Sequence, residues 1–137
     1  MSDSAEVVTA AVRSARRVYL IGNGGSYANA VHVCNDFLSV GVRAYVLDPA
    51  TLTAIGNDHG YDEVFARWLS VVGEPDDLLI ALSGSGRSPN IVRAIEQARA
   101  IGMKAILVTD YLLTMDMQRS EEGQIEIGHA VMKALRP

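Results

Sequence analysis

Apolar positions along this chain alternate between two periods. Four short runs of nearly continuous apolar residues, RRVYLIG (16–22), VRAYVLD (42–48), DLLIALS (77–83) and KAILVTD (104–110), read as strands. Between them the spacing turns helical. Helices are predicted over 4–14, 27–39, 89–100 and 119–135, the third closing near Gly102. A short helical turn over 50–55 is expected to stop at Gly56. The stretch DEVFARWLSVV puts Val64, Phe65, Trp68, Leu69 and Val72 on one helical face, with Gly73 as its stop.

Strands this apolar, separated by helices, belong to a parallel sheet covered on both faces. The expected fold is therefore one α/β domain over 1–137, a doubly wound parallel sheet sandwiched by helices. In such sheets ligands bind outside the carboxyl ends of the strands. That rule points to the loops after the first and third strands.

The first of these, GNGGSY (22–27), is rich in glycine, which lets backbone approach a ligand, and leads into a helix whose first amides face an anion. Ser26 is a natural N-cap there. A tight turn with no ligand would read the same way. So would part of a dinucleotide fingerprint, with Gly22, Gly24 and the acid Asp48 closing the second strand, but its third glycine is missing. A nucleoside-triphosphate loop is excluded, because no Lys-Ser or Lys-Thr follows either Gly-rich turn. The second loop, SGSGRSPN (83–90), is more specific. Ser83, Ser85 and Ser88 precede a helix opening on Pro89, and hydroxyls at a helix N-terminus suit a phosphate. Capping would account for Ser88 but not for all three serines.

Composition narrows the partners. With 137 residues, 49% of them apolar, the chain can bury a full core. A net charge of −4, with no Lys/Arg cluster beyond Arg16-Arg17, provides no electrostatic footprint for nucleic acid. The first residues lack the pattern of a secretory signal, and no apolar run reaches membrane-spanning length, so no membrane partner and a cytoplasmic location are expected. The single cysteine, Cys34, allows no intrachain disulfide.

Three motifs, GNGGS, AIGNDHGY and ALSGSGRSPN, in this order and at this spacing, resemble the sugar isomerase (SIS) family, and within it the phosphoheptose isomerases. The resemblance implies a sheet of flavodoxin-like strand order, a bound phosphorylated sugar, and a homo-oligomer, dimer or tetramer, with active sites between subunits. It implies that Ser83, Ser85 and Ser88 hold the phosphate, with Gly84 where the family often has threonine. Asn23, Gly24, Gly25 and Ser26 would hold the sugar side, and Asp58 would contact its hydroxyls. The family places a long helix ahead of the first one seen here. It also places a turn, a fifth strand and a loop where this chain has only YLLTMD, which leaves a sheet without the fifth strand as an open alternative.

The same resemblance gives meaning to the polar stripe Asn29, His32 and Asp36 on the helix after the first loop, which periodicity alone would assign equally well to a solvated face. In the family the positions of His32 and Asp36 are a histidine and a glutamate that bind metal. On the last helix His129 falls on a second catalytic and metal-binding histidine, and Glu121 on a glutamine ligand. His32, Asp36, Glu121 and His129 are chemically suited to zinc. The implied activity is isomerisation of sedoheptulose 7-phosphate through an enediol, with Asp36 as base and His129 as acid. A non-catalytic phosphosugar-binding or regulatory protein of the same fold, like the relative that binds a replication initiator, is the alternative. Aspartate in place of glutamate leans toward that alternative, and retention of both histidines leans toward the enzyme.

Overall fold

Strand β1 (Val18–Gly22) is buried at every residue, and so is β3 (Leu78–Leu82). They lie side by side at the centre of a parallel sheet, flanked by β2 (Ala44–Val46) and β4 (Lys104–Val108), in the order β2-β1-β3-β4. Burial on both faces is why the two central strands read as unbroken apolar runs. The computed structural model describes residues 3–109 and 117–137, with side chains over 5–109 and 122–137. Among the described residues the sheet has these four strands, in agreement with the predicted α/β class.

Alternation along each strand divides the core in two. Val18, Leu20, Leu78, Ile80 and Leu82 face a layer made by α1 (Asp3–Ser14), α2 (Gly25–Ser39) and α6 (Met117–Leu135), with Phe37 at its centre. Tyr19, Ile21, Leu79 and Ala81 face the opposite layer, made by α3 (Pro49–His59), α4 (Val64–Val72) and α5 (Pro89–Ile101), where Phe65 is buried. A 3₁₀ turn, Tyr61–Glu63, joins α3 to α4. Residues Val64, Phe65 and Leu69 are buried, and Trp68 and Val72 pack against them, as the helical face predicted. No helix of the described residues is long and apolar enough to cross a membrane.

Two local expectations are corrected. Helix α3 does not stop at Gly56 but runs to His59 and ends at Gly60, which adopts φ 93°. An interior glycine costs a helix about 1 kcal/mol relative to alanine, whereas a positive φ is what ends it, and only Gly60 has one. Ser26 is not an N-cap. Gly24, at φ 55°, opens α2, and Ser26 is its second residue, buried, with its hydroxyl engaged elsewhere. Asp48, considered above as a dinucleotide acid, caps α3 by accepting from the Thr51 amide at 3.0 Å, a bond that holds its carboxyl below the ordinary value.

The register places Gly22 opposite Leu82, so the loops after β1 and β3 leave the sheet as neighbours. Their helices, α2 and α5, cover opposite faces. This is the topological switch point of the sheet, where a crevice opens.

Candidate active site

The crevice is a cleft of about 60 Å³ lined by Asn23, Ser26, Leu82, Ser83, Gly84, Ser85 and Ser88. Its shape depends on Gly22, where a Cβ would stand 2.6 Å from the backbone carbonyl of Ser26. Only glycine allows α2 to start this close to the strand.

Backbone amides set the polarity of the serines. The amide of Gly86 donates to Ser83 Oγ at 3.0 Å, and that of Arg87 to Ser85 Oγ at 3.1 Å. With oxygens already accepting, both hydroxyls keep their protons to donate, as an anion requires. Ser88 sits at the N-cap of α5 but its side chain makes no cap hydrogen bond, so its hydroxyl is not used up by the helix. Thr109 Oγ1 donates to the carbonyl of Gly84 at 2.7 Å and steadies the loop from β4.

Asn23 has a different environment from that of the serines. Its side-chain amide forms a reciprocal pair with the buried Asn90, at 2.9 and 2.8 Å, and Tyr61 Oη donates to Asn23 Oδ1 at 2.8 Å. The pair ties the first loop to the second, and Tyr61 ties the segment after α3 to both. Asp58 lies exposed in the last turn of α3, where its Oδ1 accepts from Asn57, and it is not among the residues lining the cleft.

The second cluster lies further along α2. His32 Nε2 is 3.1 Å from His129 Nε2, and Asp36 Oδ2 is 3.3 Å from the first and 3.5 Å from the second. All three ligand atoms come from one chain. They meet because α6 runs alongside α2 in the same direction: Gln124 meets Ser26 and Asn29, His129 meets His32 and Asp36, and Met132 meets Ser39. Gly128 sets how close the helices come, since a Cβ there would lie 2.6 Å from Val33 Cγ2. From Ser26 to His32 the rise along α2 is about 9 Å, so one helix carries both a wall of the cleft and two members of the triad.

The triad suits a metal ion. Asp36 Oδ2 is buried with no hydrogen-bond partner, and a buried carboxylate oxygen left so is costly unless a cation meets it. A tetrahedral zinc ion separates its nitrogen and oxygen ligands by about 3.3 to 3.5 Å, close to the triangle of 3.1, 3.3 and 3.5 Å seen here. Of the four predicted ligands the structure thus brings together His32, Asp36 and His129. Glu121 is in α6, with its side chain outside the described residues. Cys34, on the same helix, is buried, which pushes its thiol up and leaves it inert.

Sequence reasoning assigned no role to Gln124, Asn90 or Tyr61. Gln124 had a readable signal: together with Gly128 and Val131 it falls on one stripe of α6, and all three are buried, so it is a polar residue on a core face. Asn90 and Tyr61 had none, because each acts through a partner far away in sequence.

Comparison with known proteins identifies the family of this fold. A phosphoheptose isomerase of Burkholderia pseudomallei is 37% identical over 93% of this chain and 76% of its own length. The solved phosphoheptose isomerase of Francisella tularensis superposes with a TM-score of 0.87 at 28% identity, over 96% of this chain and 84% of that one. The phosphoheptose isomerase GmhA of Neisseria gonorrhoeae superposes at 0.84, also at 28% identity, over 96% and 82%. The family model described as the SIS domain matches residues 1–110, which include both loops of the crevice. This chain belongs to the SIS domain family, on the phosphoheptose isomerase side of it.

Proposed function

We propose that this chain is a phosphosugar isomerase interconverting an aldose and a ketose, with sedoheptulose 7-phosphate as the substrate. The observation that carries the reading is the convergence of His32, Asp36 and His129 within 3.5 Å, beside the helix α2 whose first turn lines the serine cleft. A binding protein needs a cleft alone. A proton-transfer enzyme needs a base and an acid at a fixed distance from the anchor.

The serine loop anchors the phosphate, and the open sugar chain extends along α2 toward the triad. Separation of the cleft and the triad by about 9 Å of helix rise favours a long sugar over a short one. Asp36 takes a proton from the first carbon of the ketose, exchanges it with solvent and delivers one to the second carbon, while His129 exchanges protons with the two oxygens. The atoms balance: one C–H is broken and one formed, and the carbonyl moves from carbon two to carbon one. His32, Asp36 and His129 would hold zinc, with Glu121 as the fourth ligand by resemblance; bound there, the ion supplies a positive charge that stabilises an enediolate. The side chains of His32 and His129 are 50% and 45% exposed, which supports a homo-oligomer, dimer or tetramer, in which another copy shields the reaction from water.

The test is incubation with sedoheptulose 7-phosphate in deuterated water, with and without zinc. Deuterium at carbon two of the sugar, dependent on the protein, is the expected result. Absence of both label and aldose product in both arms overturns the reading.

A further inference from the structure

Among the serines of the cleft, Ser26 differs in what its oxygen accepts. Ser83 and Ser85 receive backbone amides, whereas Ser26 Oγ receives Gln124 Nε2 at 3.1 Å, from a helix 98 residues away in sequence. Gln124 is only 2% exposed, and Asn29 Nδ2 donates to its Oε1 at 3.0 Å. That bond turns the amide so that its NH₂ faces Ser26. A hydroxyl that accepts from an amide keeps its own proton for another acceptor, and Ser26 is both buried and part of the cleft lining.

We infer that Gln124 is a positioning residue that makes Ser26 a hydrogen-bond donor to the bound phosphosugar. The inference rests on the proposed function for the ligand, but it concerns a residue that touches no substrate. Its consequence is that every serine oxygen of the cleft with a fixed partner has the same polarity: Ser83 and Ser85 through the backbone, and Ser26 through α6. The helix that supplies His129 therefore also sets the polarity of Ser26 in the cleft.

Replacing Gln124 by glutamate keeps the shape and reverses the polarity. An ionised carboxylate can only accept, so the Ser26 proton turns toward it and leaves the cleft. Replacing it by methionine removes the partner without withdrawing that proton. Binding of sedoheptulose 7-phosphate by titration calorimetry should weaken by about tenfold or more in Gln124→Glu at neutral pH and by much less in Gln124→Met, when referred to the folded fraction. Relative to wild type at each pH, Gln124→Glu should regain affinity on acidification, because a protonated carboxyl can donate to Ser26 again. In the Ser26→Ala background the glutamate should add no further loss. Equal affinity of wild type and Gln124→Glu overturns the inference, and so does a glutamate effect that persists without Ser26. Failure of wild type itself to bind the sugar phosphate points instead to the proposed function.

Discussion

His32 Nε2 and His129 Nε2 stand 3.1 Å apart across 97 residues of sequence. Two imidazole nitrogens so close either share a proton or share a cation, and Asp36 Oδ2 beside them has no hydrogen-bond partner to relieve it. Zinc should therefore raise the melting temperature of the protein by preferential binding to the native state, which adds about 2.7 kcal/mol of stability when the ion is at a hundred times its dissociation constant. Chelation should reverse the shift, and acidification should weaken it, because the ligands bind the ion only when deprotonated. His32→Ala should abolish the zinc-dependent shift. A wild-type protein whose melting is indifferent to zinc and chelator would refute the metal assignment.

Asp36→Asn and His129→Ala should each remove isomerisation, and the double variant should be no slower than either. A base and an acid that must act together in one reaction show such non-additive losses. Because both residues come from one chain, mixing the two inactive variants under conditions that exchange subunits should not restore turnover. Recovery of activity on mixing would show that working sites draw these residues from different copies. If His129 only fills space, its loss should lower stability and leave turnover per folded molecule intact.

Gly128→Ala should affect the triad without touching it. Its new Cβ meets Val33 Cγ2 at 2.6 Å, and the helices must part or Val33 must move, at a cost of about 1–3 kcal/mol. Zinc affinity should fall with stability, since any separation of α2 from α6 carries His129 away from His32. Val33→Ala in the same chain should restore both. A single variant with wild-type zinc affinity would mean that the helix spacing does not set the site.

Removing Ser83 and Ser85 together, each to alanine, should weaken phosphosugar binding by at least tenfold, since a hydrogen bond to a charged group contributes about 1.5–3 kcal/mol. Their oxygens also accept the amides of Gly86 and Arg87, so the loop should loosen as the ligand contacts are lost. A sugar phosphate should raise the melting temperature of the wild type, and NADH or NADPH should not. Protection by a dinucleotide instead would return the Gly-rich turn to the reading that its first two glycines suggested.

The sequence by itself determined the strands, because hydrophobic periodicity is local: Val18 to Gly22 and Leu78 to Leu82 read as near-continuous apolar runs, as strands buried on both faces do, whereas their central place in the sheet was decided by strand pairing. It also pointed to the two loops, since ligands of such sheets bind beyond the carboxyl ends of the strands and three serines exceed what capping one helix needs. Helix ends were less legible. Gly56 and Gly60 look alike in sequence, and only backbone geometry, φ 93° at Gly60, decides which one stops α3. Pairings across the fold were left to tertiary structure. Periodicity put His32 and Asp36 one turn apart, and their link to His129 came from resemblance. The 3.1 Å approach needs α6 to run parallel to α2 with Gly128 against Val33. The same packing buries Gln124 against Ser26, a contact between residues 98 positions apart that no local pattern encodes, because it depends on which helices meet and how closely.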